Sequence, residues 1–269
     1  MHHRRWPLFT VLGFGYAFLY VPVLLLVIYS FNESRLVTVW AGFSTKWYWA
    51  LLENQHLLDA AWLSIRIAAT NATVAVIVGT LAANALVRRG HFWGRAGFEL
   101  MLTAPLVMPE VIVGLSLLLL FVAMEQWIGW PEGRGFTTIT IAHVTFSMAY
   151  VAVVVKARLG QMDRSLEEAA MDLGARPFKV YLRITLPLIA PALLSGWLLA
   201  FTLSLDDLVV ASFVAGPGST TLPMVVYSSV RMGVSPQINA LATIIVVFVG
   251  VAVTVAGLAL RGRSQAGSG

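Results

Sequence analysis

The chain has 269 residues and a formal net charge of +5, with 58% hydrophobic residues and only 12% charged residues. Soluble domains contain about 25% charged residues, so the composition excludes an ordinary water-soluble protein and indicates a membrane protein. The absence of cysteine excludes a disulfide framework and a thiolate metal site.

Six apolar segments are long enough to cross a membrane, whose hydrocarbon core requires roughly 20 helical residues. They are residues 8–31, 61–87, 98–124, 137–155, 186–215 and 238–260. The first segment is longer than the apolar region of a cleaved signal peptide, about 7–15 residues, so we predict an uncleaved membrane helix. The aromatic residues between residues 32 and 60 favour anchoring at the membrane surface over stacking on a ligand.

The second and third segments contain polar or irregular positions. Asn71 and Thr73 are expected to form hydrogen bonds to neighbouring helices. Pro105 and Pro109 each leave one backbone carbonyl without its helical partner, which a membrane tolerates only where protein or water covers the break. Glu110 follows, and a carboxylate at that depth either donates to a freed carbonyl or lines a wet path.

The later segments complete an all-α membrane fold. His143 in the fourth segment is expected to bond a neighbouring helix rather than a ligand. Asp206 and Asp207 interrupt the fifth segment. A glycine- and proline-rich loop follows at residues 216–223, and residues 224–232 suit a short interfacial or re-entrant helix. The sequence therefore predicts an all-α integral membrane protein with six transmembrane helices.

The positions of the basic residues predict the orientation of these helices. With the N-terminus in the cytoplasm, Arg66 lies in a span and the outer segments contain only Arg35, Lys46, Arg134 and Arg231. All other lysine and arginine residues then lie in cytoplasmic segments, which are normally enriched in them. We therefore predict that both termini and the loop between spans four and five are cytoplasmic. The same rule explains the net positive charge without a nucleic-acid partner.

The loop between spans four and five contains the signals of a short helix. Ser165 and Glu168 have the spacing of a capping box, and Gly174 has the position of a glycine that ends a helix. Pro177 suits the first turn of a second helix. An apolar face suited to a groove in another protein is predicted at helical spacing by Leu166, Ala169, Ala170 and Leu173.

This loop also resembles a family signature. Glu168-Ala169-Ala170, three residues, Gly174, nine residues and then Ile184-Thr185-Leu186-Pro187 match the EAA loop of the membrane subunits of ABC importers. The resemblance implies a cytoplasmic coupling helix that lies in a cleft of an ATPase subunit. It assigns this coupling role to Glu168, Ala169, Ala170, Gly174, Ile184, Leu186 and Pro187.

No sequence pattern for catalysis is present. The chain has no phosphate-binding G-x-x-x-x-G-K-[ST] loop, no H-E-x-x-H and no G-x-S-x-G. Ser116, Ser147, Ser195 and Ser204 are scattered and lack any evident base partner. We therefore expect no catalytic residue, metal or cofactor, and we interpret the chain as a conduit driven by another chain.

The acidic residues within the predicted spans bear on what is carried. Glu110, Asp206 and Asp207 have no matching basic residue in their own spans, and such negative charge favours passage of a cation. An extended polycation with an apolar spacer suits carboxylates combined with aromatic rings. The structural alternative is that Asp206 or Asp207 bonds backbone groups where the fifth span loosens, or pairs with a cation on a neighbouring subunit.

A second resemblance concerns nearly the whole chain. Residues 105–112, residues 201–207 and the loop at residues 216–223 resemble the second permease subunit of spermidine/putrescine importers. This implies the type I ABC importer permease fold in a bacterial inner membrane. It divides the chain into an N-terminal helix with a periplasmic segment (1–60), a five-helix transport domain with its coupling loop at 165–187 (61–263), and a flexible tail (264–269).

The resemblance also implies partners. They are two ATP-binding subunits, a second homologous permease, a periplasmic binding protein, membrane lipid and a polyamine substrate. Two alternatives stay open at this point: the same importer class carrying another small solute, and an ATP-independent channel or carrier.

Overall fold

The structure is a computed structural model that describes residues 6–36, 39–232 and 236–266. Apart from one isolated antiparallel bridge between Asn32 and Phe43, these residues form only helices and loops, which confirms the all-α prediction. In chain order the helices are α1 (Trp6–Tyr29), α2 (Lys46–Glu53), α3 (Gln55–Arg88), α4 (Arg95–Val107), α5 (Glu110–Ile128), α6 (Phe136–Gly160), α7 (Ser165–Asp172), α8 (Pro177–Val180), a π-helical turn (Tyr181–Thr185), α9 (Leu186–Leu205), α10 (Val209–Val214), α11 (Leu222–Met232) and α12 (Pro236–Ala266).

Helix length and composition agree with a multi-pass membrane protein. Five stretches of the described residues are long and apolar enough to span a membrane, namely Phe9–Tyr29, Gln55–Arg88, Glu110–Ile128, Phe136–Gly160 and Pro177–Leu205. A shorter apolar segment, Pro236–Val251, lies in α12, where the sixth span is predicted. Arg4 and Arg5, which contribute to the predicted orientation, and residues 267–269 of the predicted tail lie outside the described residues.

The third predicted span, residues 98–124, is not one helix. α4 ends at Val107, Met108 is extended with a ψ of 138°, and α5 begins at Glu110 after Pro109. The cause is local, because a residue that precedes proline is pushed out of the helical region by the proline ring. Pro105, by contrast, is accommodated inside α4. The part of this segment long enough to cross a membrane is therefore α5.

The fifth predicted span, residues 186–215, is also divided. α9 ends at Leu205, and the shorter α10 begins at Val209, so the chain breaks at Asp206–Leu208. The predicted interruption at Asp206 and Asp207 is confirmed.

The described residues form two compact units. The central unit comprises Asp59–Val225, and the terminal unit comprises the described residues up to Leu58 and from Val226 onward. The terminal unit therefore combines α1 and α2 with α12. Within it Trp47 is buried and its indole N–H donates to the Asn32 carbonyl at 2.6 Å, while Trp40 and Trp49 are exposed.

The central unit is built around α6, which packs against α4, α9 and α10. α3 also approaches α6 closely, because a Cβ at Gly79 on α3 would lie 2.8 Å from the Met148 carbonyl oxygen on α6. Asn71 on α3 donates to Ser147 on α6 at 3.1 Å and to the Ala200 carbonyl on α9 at 2.9 Å. Thr73 accepts from the Trp197 indole at 3.2 Å, so both predicted interhelical bonds are confirmed.

Candidate coupling and translocation sites

The coupling segment, residues 165–187, begins with α7 but not with the predicted capping box. Ser165 is the first helical residue, Arg164 is the cap position, and no side chain caps the helix. The Ser165 N–H is instead bound by Asp163 Oδ1 at 2.9 Å, and this bond lowers the pKa of the Asp163 carboxyl below its usual value. The capping-box prediction is therefore wrong, because Ser165 is already inside the helix. Glu168 is exposed and makes no side-chain hydrogen bond or ion pair with any residue that the structure describes.

The end of α7 has the predicted glycine geometry. Gly174 has a φ of +83°, which favours glycine because it lacks a Cβ. The Gly174 N–H donates to Met171 O at 2.8 Å, and the Ala175 N–H donates to Ala170 O at 3.0 Å. These two bonds form a Schellman motif, which satisfies the last carbonyls of the helix. Pro177 then occupies the first turn of α8, as predicted.

Three of the four residues of the predicted apolar face of α7 are exposed, and the fourth, Ala170, is partly buried. Leu166 is 49% exposed and Leu173 is 90% exposed, and Ala169 is exposed between them. Phe178 on α8, which is 72% exposed, adds to the same stretch of chain. Such a cluster of exposed apolar side chains on a short polar segment is typical of a protein-binding surface.

A clamp that the sequence did not predict holds α7 to two longer helices. Glu167 Oε1 accepts from Arg88 Nη2 at 2.8 Å, at the end of α3, and from Thr185 Oγ1 at 2.6 Å, just before α9. Arg164 Nη2 adds a bond to the Val87 carbonyl at 2.7 Å. These bonds connect α7 to the end of α3 and to the turn that precedes α9. No sequence signal links Glu167 to Arg88, because 79 residues separate them.

The remaining motif residues continue into α9. Ile184 and Leu186 are partly buried, and Pro187 is exposed in the first turn of α9. Thr185, between them, is buried and carries the bond to Glu167. The clamp borders a cavity of about 380 Å³ that is also lined by Glu168 and Tyr181.

The three carboxylates that the sequence predicts within the spans have different surroundings. Asp207 is buried at the break between α9 and α10, where its two carboxylate oxygens accept from the Val210 N–H at 3.3 Å and the Ala211 N–H at 2.7 Å. Asp206 and Glu110 are exposed, and Glu110 has no hydrogen bond or ion pair within the described part of the chain. The bond from Glu110 to a freed carbonyl, one of the two predicted roles, is therefore not formed.

Asp207 belongs to a buried polar group that we call the His143 cluster: Ser204, His143 and Asp207. His143 Nδ1 lies 2.6 Å from Ser204 Oγ, and His143 Nε2 lies 3.1 Å from Asp207 Oδ2. The expected role of His143 as a bond between helices is confirmed, because it joins α6 to the α9–α10 break. The interpretation of Ser204 as lacking a base partner is wrong. All three residues are at most 9% exposed, so the serine is buried in this structure.

No group of three or more histidine, aspartate or glutamate side chains in the described residues has the geometry to hold a metal ion.

A family comparison agrees with this architecture. Residues 75–263 match the family profile of the binding-protein-dependent transport system inner membrane component. The chain belongs to this family. It is therefore a multi-pass inner-membrane permease, and the predicted resemblance to ABC importer permeases is confirmed.

Individual relatives agree with the family assignment. The chain is 65% identical over 242 residues to the putrescine transport system permease protein PotI of Escherichia coli K12, which covers 90% of this chain and 86% of that protein. It is 42% identical over 254 residues to the spermidine/putrescine transport system permease protein PotC of the same strain, with 94% of both chains covered.

A solved structure supports the fold. The crystal structure of a bacterial ABC transporter involved in the import of the acidic polysaccharide alginate contains a chain that matches this one with a TM-score of 0.71 and 16% sequence identity. The match covers 97% of this chain and 98% of that one. At this identity the likeness establishes the type I importer permease fold alone.

Proposed function

We propose that this chain is one of two permease subunits of an ATP-driven importer and forms half of the path for a polyamine such as putrescine. The observation that carries the proposal is the 65% identity to a putrescine permease over 242 residues. A further relative, at 42% identity, is a spermidine/putrescine permease. The identity to these two polyamine permeases and the carboxylates predicted within the spans both favour a cationic substrate.

The exposed face of α7 is the proposed contact with an ATPase subunit. Leu166, Ala169 and Leu173 enter a cleft of that subunit, and Gly174 lets the chain turn away without a Cβ in the contact. Closure of the ATPase dimer on ATP then moves α7, and the Glu167 clamp passes this movement to α3 and α9. Neither ATP binding nor hydrolysis takes place in this chain, which lacks a phosphate-binding loop.

The remaining partners follow from the same assignment. A second permease completes the path, two ATPase copies dock at the cytoplasmic side, and a periplasmic binding protein delivers the substrate at the other side. Both termini and the coupling segment are cytoplasmic in this arrangement, as the basic residues indicate. Alternating access results when the helices rock around the path.

Within the path, we assign Glu110 and Asp206 to contact with the substrate, because both carboxylates are exposed. Asp207 belongs to the same region but acts by fixing the helix break that presents Asp206, since its oxygens are occupied by backbone N–H groups and His143.

Reconstitution tests this function. The permease pair, the ATPase and the binding protein are incorporated into proteoliposomes, and uptake of radiolabelled putrescine is measured with and without ATP. We expect ATP-dependent uptake that requires every component. Accumulation without the ATPase, or ATP-dependent uptake of another solute with no polyamine uptake, would contradict the proposal.

A further inference from the structure

The loop that joins α3 to α4, residues 89–94, contains an aromatic side chain that no part of the described chain covers. Trp93 is fully exposed, whereas tryptophan is highly buried on average, so its exposure indicates a missing neighbour. We propose that this loop, which we call the Trp93 loop, binds an anionic phospholipid by its headgroup. The inference goes beyond the proposed function, because it applies whichever solute the importer carries.

The position of the Trp93 loop along the chain suits a membrane surface. α3 is long and apolar enough to cross a membrane, and it ends at Arg88, five residues before Trp93. By the predicted orientation this end of α3 lies at the cytoplasmic side. The indole ring is apolar over most of its surface and carries one polar N–H, so tryptophan favours the boundary between lipid and water. The headgroup layer is therefore the environment that suits Trp93.

The Trp93 loop is held in a conformation that turns the indole outward. Its neighbour Phe92 packs against a buried apolar cluster formed by α3, α4 and α6, and the Phe92 ring makes an edge contact with Phe98 at 6.4 Å. The Arg95 guanidinium donates to the Gly90 carbonyl, and this bond closes the loop. Because Phe92 is fixed on the protein side, the next side chain, Trp93, projects away from it.

The Trp93 loop is basic and contains no acidic residue. Arg89 and His91 are exposed, and Arg89 forms no ion pair within the part of the chain that the structure describes. The first acidic residue after the loop, Glu99, is already paired with Lys156. The charge of Arg89 is therefore not neutralised by the described residues. Anionic headgroups attract basic side chains in this position, next to the end of a membrane span.

A phospholipid fits this surface better than a free anion does. The helix that follows the loop also exposes large apolar side chains, with Leu100 70% exposed and Met101 76% exposed. An anionic phospholipid offers a phosphate to Arg89 and acyl chains to apolar side chains within one molecule. A free phosphate ion would contact only the basic side chain and would leave Trp93 in water.

The site also adjoins the clamp of the coupling segment. Arg88, whose guanidinium donates to Glu167, directly precedes Arg89 in the chain. A lipid bound at the Trp93 loop therefore restrains the end of α3 to which α7 is joined.

The test uses a fluorescent label beside the Trp93 loop. Ala96→Cys introduces one thiol at an exposed position, since the chain has no native cysteine. The permease is labelled at this thiol, assembled into the complete importer and placed in phosphatidylcholine nanodiscs. These nanodiscs contain either spin-labelled phosphatidylglycerol, which is anionic, or spin-labelled phosphatidylcholine, which has no net charge. Quenching of the fluorophore by each spin-labelled lipid is then measured.

The anionic lipid should quench about fivefold more strongly, which is the effect of one basic side chain near an anionic surface. Arg89→Gln should abolish this preference. Trp93→Ala should weaken quenching by both lipids, because the loop loses its contact with the headgroup layer. Arg134→Gln and Trp127→Ala are the matched controls, since both side chains are exposed but belong to the last turn of α5 and the loop after it. Both controls should leave the quenching unchanged.

Equal quenching by the two lipids in the wild-type loop would overturn the site, as would a preference that persists in Arg89→Gln. Fluorescence that responds to addition of the ATPase and not to lipid would identify a protein as the occupant instead. Loss of the preference on addition of inorganic phosphate at constant ionic strength would identify a free anion as the ligand. None of these measurements depends on uptake, so their outcome is independent of the solute assigned to the importer.

Discussion

The coupling segment and the His143 cluster differ in which side chains they expose and which they bury. The coupling segment leaves apolar side chains uncovered, with Leu173 90% exposed. The His143 cluster buries three polar side chains and pairs each of them within the chain. An uncovered apolar face indicates a missing partner, whereas a fully paired buried group indicates internal support. The account therefore assigns partner binding to the exposed apolar face of α7 and internal support to the paired His143 cluster.

The largest expected effect concerns the buried region. Asp207→Ala leaves His143 and two backbone N–H groups without an acceptor, and breaking a buried pair of this kind costs about 3–5 kcal/mol. Denaturant titration of the purified chain in detergent should show this loss. Asp206→Ala is the matched control at the neighbouring exposed position, where we expect less than about 0.5 kcal/mol. Equal destabilisation by the two variants would contradict the assignment of Asp207 as the structural partner.

The clamp of the coupling segment comes next. Glu167→Gln replaces a charged acceptor of Arg88 and Thr185, and hydrogen bonds to charged groups contribute about 1.5–3 kcal/mol. We expect slower uptake at an unchanged level of stimulated ATP hydrolysis, because the ATPase contact persists while its movement is poorly transmitted. A double-mutant cycle with Arg88→Met should give a non-additive effect. Additive effects would show that the two residues act independently.

Gly174→Asp tests the surface rather than the interior. A Cβ at this position meets no atom of the chain within 4 Å, so the intrinsic cost is the left-handed backbone conformation, about 1–2 kcal/mol. The chain should therefore insert normally, while ATP hydrolysis is uncoupled from uptake because a charged side chain enters the contact. Gly129→Asp is a control with a similar positive φ of 69° in a different loop. Normal uptake by Gly174→Asp would refute the coupling role.

The smallest expected effect is at Ser165, which the sequence pattern predicts as a helix cap and the structure places inside α7. A capping serine contributes about 1 kcal/mol, but Ser165 does not cap α7. Ser165→Ala should therefore change the free energy of unfolding by less than about 0.5 kcal/mol. The same denaturant titration measures this change. A decrease of about 1 kcal/mol in the free energy of unfolding would indicate that Ser165 caps α7.

Much of the fold follows from composition and short-range pattern. The apolar segments, the glycine that ends α7 and the proline that begins α8 were predictable, because each depends on a few neighbouring residues. The residue at which the third predicted span divides, Met108, was not predicted. Its extended conformation depends on the following proline and on packing.

The sites divide in the same way. The motif residues from Glu168 to Pro187 come from the resemblance to the EAA loop, and their coupling role stays a prediction. The interruption of the fifth span at Asp206 and Asp207 was predictable from the sequence. The partners of these residues were not. Glu167 bonds Arg88 across 79 residues, and His143 bonds Asp207 across 64. Such contacts result from helix packing, which one sequence does not specify.

The most direct test of the coupling account uses the absence of native cysteine. Leu173→Cys places one thiol on the exposed face of α7, and a membrane-impermeant maleimide is applied to inside-out vesicles with the ATPase either stripped or restored. The account predicts rapid labelling of stripped vesicles and strong protection when the ATPase is bound. Labelling that is unaffected by the ATPase, or that occurs only in right-side-out vesicles, would contradict it.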